Sequence, residues 1–427
     1  MNIFEELQWR GLLYDSTEGV EKRLAEGPTS LYIGFDPTAV SLHVGSLLQI
    51  LGLARMQRAG HTPIALVGGG TGMIGDPSGK TVERQLLDSD TIAQNVAGLR
   101  EQLSRFLDFD AKDNAAQLVD NGDWLLEIGL VDFLRDVGKY FTVNYMTSKE
   151  SVKARLESDE GLSFTEFSYL LLQSYDFLVL FDRYGCELQM GGSDQWGNIT
   201  AGTGLIRRLR QKKAYGLVQP LVTTSSGVKF GKTEAGAVWL DANLTSPYRF
   251  YQFWLNTSDD DVVRYLKYFT FLTSDTIAEL EAAHTDAPHQ RTAHRRLAGE
   301  VTEMVHGKTA LDRALRSSEV LFGGSLDDLG SAEIFEIFDD VPSSEVGRDA
   351  FVGDGKPLTE VMADSGLVPS KGAARRLIRE GGAYLNNQRV SDEQAAVTLD
   401  DFLEGQALVL RKGRKQYHLI QLQGGND

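Results

Sequence analysis

Between residues 29 and 209 short apolar runs alternate with longer stretches whose apolar positions recur at helical spacing, and turns rich in Gly or Asp separate the two. That alternation predicts an α/β fold built on a mainly parallel sheet. Leu31–Phe35 reads as a strand, followed by Asp36-Pro37-Thr38 and a helix from Leu42 to Arg58 that stops at Gly60. Ile64–Val67 is a second strand and 68–72 a glycine-rich loop, then a long helix from Asp88 to Leu107, a short strand at Gln117–Val119 and a helix from Trp124 to Val137. Ser163 and Glu166 have the spacing of a capping box at the head of a helix running to Phe181. Glu187–Met190 is a further strand, and Gly191-Gly192-Ser193-Asp194 turns into another helix. Three of these strand exits combine glycine with Asp, and strand exits are where open parallel sheets bind ligands.

The pattern changes after Pro220. Lys229-Phe230-Gly231-Lys232-Thr233 reads as a loop, Pro247 to Leu321 is mostly helical, and 323–354, acidic and interrupted by Gly, Ser and Pro, reads as a linker with room for one short helix. The last segment mixes a basic helix, Lys371–Glu380, with strands at Ala383–Leu385 and Ala407–Leu410.

Composition narrows the class. With 427 residues, 42% hydrophobic and 24% charged, the chain is ordinary for globular protein and long enough for two or three domains. A single cysteine, Cys186, excludes an internal disulfide framework and a cysteine-built zinc site, which fits a reducing, cytoplasmic setting. No apolar run approaches the length needed to cross a bilayer, and the N-terminal residues carry no leader-like stretch. The net charge of −17 argues against indiscriminate nucleic-acid binding. Residues 355–427, however, hold ten Lys and Arg against nine Asp and Glu, so the tail is near neutral on an acidic body and suits a separate partner.

Three groups of residues carry candidate chemistry. His43-Val44-Gly45-Ser46 opens a helix, where backbone N–H groups attract anions and an imidazole can donate to phosphate; a lone His at a helix start is also commonly structural. Lys229 and Lys232 flank a glycine and could bring two ammonium groups to a polyphosphate, although an exposed lysine loop is often merely solvated. Tyr169, Gln173 and Asp176 fall at i, i+4, i+7 on one face of an otherwise apolar helix, so they line a pocket or join a buried network.

Together these segments resemble the two signature motifs of the class I aminoacyl-tRNA synthetases. Ser46 stands at the second histidine of the first motif; Phe230, Gly231 and Thr233 depart from the second, which keeps both lysines. The strings 31–38, 72–80, 163–169 and 191–196 are similar to the tyrosyl branch of that family in its bacterial type, over nearly the whole chain. The resemblance implies a Rossmann-like parallel-sheet catalytic domain over 1–220, a lysine-loop and α-helical domain over 221–322, an acidic linker over 323–354 and a small α+β RNA-binding domain over 355–427. It implies activation of L-tyrosine with ATP and magnesium, no tightly bound cofactor, transfer to tRNA(Tyr), and a homodimer.

Residue by residue, it implies that Tyr32 and Asp176 hold the substrate phenol, that Asp76, Tyr169 and Gln173 hold the α-ammonium group, and that Gln195 lies near the carboxylate. Gly34, Asp36, Gly45, Ser46, Gly192 and Asp194 are implied to meet ATP. Thr38, His43, Lys80, Arg84, Lys229, Lys232 and Thr233 are implied to act on the departing phosphates. In the tail, 357–386 resembles a small RNA-binding module first known from a ribosomal protein, with Arg375, Arg376 and Arg379 at helical spacing and Arg411, Lys412, Arg414 and Lys415 as a second basic cluster. Two other readings stay on the table: an RNA-binding relative that no longer makes adenylate, and a tryptophan enzyme on the same scaffold. The intact signature residues speak against the first; against the second, an indole, which offers only a donor, would leave the Tyr32 and Asp176 pair without a use.

Overall fold

A computed structural model describes residues 1–78, 87–156, 161–225, 227, 230–233, 236–326, 329–339, 341–414 and 416–423. Its strands are β1 (Asp15–Ser16), β2 (Ser30–Phe35), β3 (Thr62–Val67), β4 (Gln117–Asp120), β5 (Cys186–Gly192), β6 (Tyr215–Gln219), β7 (Lys232–Thr233), β8 (Gly236–Ala237), β9 (Ser343–Val346), β10 (Lys356–Pro357), β11 (Ala383–Leu385), β12 (Gln388–Arg389), β13 (Ala396–Val397), β14 (Ala407–Lys412) and β15 (Gln416–Leu422). The chain divides into two compact units: Met1–Thr245 with Gln252–Val305, and Ser246–Tyr251 with His306–Asp427.

The first unit carries a six-stranded sheet in the order β1-β6-β5-β2-β3-β4, parallel except for β1. A parallel sheet covered on both faces favours continuous rather than alternating apolar strands, and β3 is buried at every position after Thr62. The expected strand Glu187–Met190 extends to Cys186–Gly192, buried at every position but Glu187. Helix Phe164–Tyr184 starts on the Ser163 hydroxyl, which accepts from the Glu166 N–H, and closes on Gly185 in the left-handed region (φ 62°). Its inner face joins Tyr32, Ile64, Val119, Trp124, Leu205 and Ile206 in the main core.

Several expectations are corrected here. The Glu166 side chain does not return to the cap; its carboxylate takes two bonds from Arg155 at 3.0 and 2.8 Å, an ion pair with both side chains buried. The single helix expected over Trp124–Val137 is two, Gly122–Leu125 and Leu130–Asp136, because Gly129 is extended (φ −65°, ψ 138°). The helix expected from Leu42 begins at Val44, since His43 is its cap. In the lysine loop, Lys232–Thr233 pairs with Gly236–Ala237 as a short hairpin.

The boundary expected after residue 220 is not a structural division, because helices 252–305 belong with the sheet. Two buried arginines show why. Arg10 donates to the carbonyls of Lys267, Thr270 and Leu272, and Arg55 to those of Tyr268 and Thr270, satisfying the C-terminal end of helix Val262–Phe269. Nor is 323–354 only a linker with one short helix. It contributes helix Ser331–Ile337 and strand β9, which pairs parallel to β15 at the edge of the sheet β12-β11-β14-β15-β9. Its apolar positions Leu326, Leu329, Ile334, Ile337 and Phe338 pack on Val409, Tyr417 and Leu419, so an acidic composition hides a buried face.

Candidate functional site

Strands β2, β3 and β5 end side by side, and the chain leaves β2 toward β3 on one flank while β5 pairs on the other, the arrangement in which parallel sheets open a crevice. A cavity of about 960 Å³ lies there. Its lining includes Tyr32, Gly34, Asp36, Thr38, His43, Gly45, Ser46, Asp76, Tyr169, Gln173, Asp176, Gly192, Asp194 and Gln195, so residues far apart in sequence converge on one cavity. Lys80, Arg84, Lys229 and Lys415 lie outside the described residues, and Lys232 and Thr233 are described by their backbone alone.

The deep end is buried and polar at once. Asp176 is 1% exposed; its Oδ1 accepts from Trp124 Nε1 at 2.8 Å and its Oδ2 from Asn121 Nδ2 at 2.9 Å. Burial pushes its carboxyl up to about 7 against the opposing pull of those two donors, with Asp36 and Asp120 adding to the rise. Tyr32, 1% exposed, packs its ring on Phe177 at 5.3 Å, and its hydroxyl has no hydrogen-bond partner among the described residues. Burial, then the charge of Asp176, raises its pKa well above the usual phenol value. Buried hydroxyls are ordinarily paired, so a lone phenol beside a carboxylate in a cavity wall marks a place for a ligand's polar group. The Gln189 Oε1, in the same wall, has no hydrogen-bond partner among the described residues either.

Toward the mouth runs a chain of amides. Gln195 Nε2 donates to Asp76 Oδ2 at 2.6 Å, Gln173 Nε2 to Gln195 Oε1 at 3.1 Å, and Asn198 Nδ2 to Gln173 Oε1 at 2.8 Å. Ser78 N–H donates to Asp76 Oδ1 at 2.9 Å, which fixes the carboxylate. Tyr169 does not join this chain. Its hydroxyl donates to Asp36 Oδ2 at 2.9 Å, and Thr71 Oγ1 donates to Asp36 Oδ1 at 2.9 Å. Burial, then Asp36, raises the Tyr169 phenol, which therefore stays a donor at neutral pH.

The rim is built by the first motif. His43 caps helix Val44–Arg58, its Nδ1 accepting from the Gly45 N–H at 2.9 Å, so a neutral ring carries its proton on Nε2. A Cβ on Gly45 would come within 2.6 Å of His43 Cε1, so the close turn needs glycine here. The segment around His43 also pairs with the chain beyond the lysine hairpin: Val44 N–H donates to the Val238 carbonyl at 2.9 Å and Leu240 N–H to the Leu42 carbonyl at 2.9 Å. Gly231 (φ +83°) lies where a Cβ would stand 2.8 Å from Val44 Cγ2. Phe230 anchors the hairpin in an aromatic cluster with Phe253, Trp254, Tyr265 and Phe269, all at ring distances of 5.0 to 5.4 Å. The two motifs are thus joined through backbone.

In the second unit Arg375, Arg376 and Arg379 are exposed on helix Lys371–Arg379, with Arg379 paired to Glu393 at 2.9 Å. Arg411 corrects the expectation of a second basic cluster. It is 7% exposed, its guanidinium 3.7 Å from the Tyr384 ring, and its Nη2 donates to the Asn387 carbonyl. In β14 it stands opposite Tyr384 on one side and Tyr417 on the other, so strand register turns it onto aromatic faces and away from solvent. Lys412 is half-buried and Arg414 exposed.

Sequence reasoning missed Asn121, Trp124, Asn198, Thr71 and Gln189. Asn121 was within reach: it follows β4 immediately, and strand exits were already the favoured place for ligand contacts.

Residues 24–323 match the family described as tRNA synthetases class I (W and Y), and residues 333–420 match a tyrosine–tRNA ligase SYY-like C-terminal domain. The chain is 57% identical over 420 residues to a tyrosine–tRNA ligase of Roseiflexus castenholzii, covering 98% of this chain and 99% of that protein. It is 53% identical over 426 residues to the tyrosine–tRNA ligase of Geobacillus stearothermophilus, covering 99% of this chain and all of that one. A C-terminally truncated mitochondrial tyrosyl-tRNA synthetase of Aspergillus nidulans superposes with a TM-score of 0.69 at 33% identity, over 75% of this chain and 94% of that one.

Proposed function

This chain belongs to the class I tRNA synthetases, within the tyrosine–tRNA ligases, and on that premise we propose how its residues divide the work. The enzyme joins L-tyrosine to ATP and passes the tyrosyl group to tRNA. In the first step a tyrosine carboxylate oxygen attacks the α-phosphorus, the new bond is the mixed anhydride of tyrosyl-adenylate, and the bond to the β-phosphate breaks to release pyrophosphate. The carboxylate is already a nucleophile, so no general base is needed; alignment and neutralisation of the departing charge carry the rate. In the second, a terminal ribose hydroxyl of tRNA(Tyr) takes the tyrosyl carbon and AMP leaves.

Tyr32 and Asp176 hold the phenol, Tyr32 giving its proton to the substrate oxygen and Asp176 accepting the substrate's. The support is the unpaired Tyr32 hydroxyl beside the doubly braced Asp176 carboxylate. Asp76, Gln173 and Gln195 take the ammonium and carboxylate end, with Asp36 and Tyr169 behind them. Gly34, Asp36, Gly45, Ser46, Gly192 and Asp194 receive ATP, and Thr38 and His43, with Lys80, Arg84, Lys229, Lys232 and Thr233, meet the leaving phosphates. Magnesium enters on ATP, held by phosphate and water. Arg375, Arg376, Arg379, Lys412, Arg414 and Lys415 meet tRNA.

Leu126, Leu130, Val131, Leu134, Val143 and Phe164 are half or more exposed, Phe164 at 77%. Such an apolar surface suits a second copy of the chain, giving a homodimer. The lone, buried Cys186 suits the cytoplasm, and among the described residues no helix is long and apolar enough to cross a membrane. Exchange of pyrophosphate into ATP, with tyrosine, phenylalanine and tryptophan offered in turn, tests the site: tyrosine alone should support it at micromolar to millimolar concentration, and equal exchange with phenylalanine would remove the phenol assignment.

A further inference from the structure

Away from the cavity, on the helices of the first unit, Asp259, His284 and His294 each bring one ligand atom within 4.8 Å of the others. They come from three pieces of chain: the turn before helix Val262–Phe269, the last turns of helix Ser274–Asp286, and the first turn of helix Thr292–His306. We propose that these three residues form a binding site for a divalent first-row transition metal of the zinc class, which ties the 257–261 turn to the two helices. Nothing in the adenylation chemistry uses them.

The donor set is the first argument. Two imidazoles and one carboxylate is a ligand combination for zinc, cobalt or iron(II), and no such convergence is required by an ordinary helix junction. Geometry is the second. His294 Nε2 lies 3.2 Å from Asp259 Oδ1, yet the pair lacks hydrogen-bond alignment, and neither ring nitrogen of His294 has a hydrogen-bond partner among the described residues. Two ligands held at about 2.0–2.1 Å from one tetrahedral ion stand roughly 3.3 Å apart. The His294 ring is fully buried, a poor place for unpaired nitrogens unless something occupies their lone pairs. The third argument is orientation. His284 Nε2 is 3.2 Å from the Asp259 backbone carbonyl, and its Nδ1 is buried with no hydrogen-bond partner among the described residues. A carbonyl on one ring nitrogen is how ligating imidazoles are commonly set.

Asp259 is 60% exposed and gives the ion a route in from solvent. The consequence reaches the catalytic loop: Asp261, two residues from Asp259, accepts from the Ser225 N–H at 2.9 Å, and Tyr265 donates to the Thr223 carbonyl at 3.2 Å. An ion here would steady the turn on which the base of the lysine loop rests.

The test is titration of full-length, tag-free, chelator-treated protein with Co²⁺, followed by its visible absorption band, with Zn²⁺ as competitor and the melting temperature read in parallel. We expect one equivalent bound, displacement by Zn²⁺, and a melting temperature that rises with metal concentration by mass action. Asp259→Asn and His284→Gln should each weaken Co²⁺ at least tenfold, while His289→Ala, an exposed neighbour, leaves it unchanged. Asp259 is exposed, so its variant tests the site even if a change at buried His294 unfolds the junction. No saturable band, or a band indifferent to both Asp259→Asn and His284→Gln, overturns the proposal.

Discussion

Tyr32→Phe separates two effects that usually travel together. The Tyr32 hydroxyl is buried and has no hydrogen-bond partner among the described residues, and such a group costs about 1–3 kcal/mol relative to its hydrated state in the unfolded chain. The substitution removes that group and keeps the ring that packs on Phe177, so no cavity larger than the oxygen is left. The free protein should therefore become more stable by roughly 1–2 kcal/mol, raising the melting temperature by about 2–4 °C or somewhat less in a chain of this size. With tyrosine bound the balance reverses, because the wild type regains a hydrogen bond that the variant cannot make. Tyrosine affinity should fall by about 1–2 kcal/mol, roughly 5- to 30-fold, while phenylalanine affinity holds or improves. Calorimetric melting with and without tyrosine reads the first effect, and kcat/KM in pyrophosphate exchange with each amino acid reads the second. A less stable free protein, or a tyrosine-to-phenylalanine ratio that moves by less than a factor of about two, would refute the reasoning.

Asp176 predicts a pH dependence. Its folded-state pKa of about 7 lies above the unfolded value of about 3.9, so the folded protein keeps a proton the unfolded chain loses, and stability falls as pH rises across that window, by at most about 4 kcal/mol. Urea unfolding at pH 5 and 8 should show this slope in the wild type and lose it in Asp176→Asn; equal slopes would show the carboxyl is not so perturbed. His43→Ala should leave tyrosine binding intact and slow single-turnover adenylate formation, since the imidazole is assigned to charge that develops only in the transition state; a rate within about twofold of wild type would remove that role. Glu166→Gln should destabilise by about 3–5 kcal/mol by taking the Glu166 charge from its buried pair with Arg155, and Arg155→Met with Glu166→Met should recover much of it, both read by denaturation. Arg375→Glu with Arg376→Glu should weaken tRNA binding and lower the salt slope by roughly 0.7 to 0.9 per lost contact, with adenylate formation unaffected. Charge reversal is a cleaner perturbation than cutting after Asp354, which would strip Ile334 and Phe338 of their cover.

What the sequence made legible follows from where information is local. The Ser163 cap, the strand exits and the Tyr169–Gln173–Asp176 face were readable because periodicity and capping act over a few residues. The partners of those groups were not. Nothing near Asp176 in sequence announces Asn121 or Trp124, which arrive from β4 and the helix beyond it. The capping box failed for a similar reason: Glu166 had a local option and took the buried Arg155, which arrives from the helix before it. Arg411 was misread because charge counting ignores strand register, and in β14 its neighbours across the ladder are tyrosines. The acidic stretch 323–354 was misread because its surface composition is polar while Leu326, Ile334 and Phe338 face inward.

The placement of β9 bears on how the second unit is made. Its partner β15 is synthesised only after β10 through β14 and the helices Leu358–Asp364 and Lys371–Arg379. At ordinary rates of about 5–20 residues per second, β9 and the apolar face of helix Ser331–Ile337 wait for several seconds without a partner. Such a parallel, long-range pairing is also among the slower contacts for a chain to find. A ribosome stalled in that interval holds a sticky, half-finished sheet, so chaperone capture should concentrate there, and substitutions confined to Leu419–Leu422 should be far more harmful than their distance from the chemistry suggests.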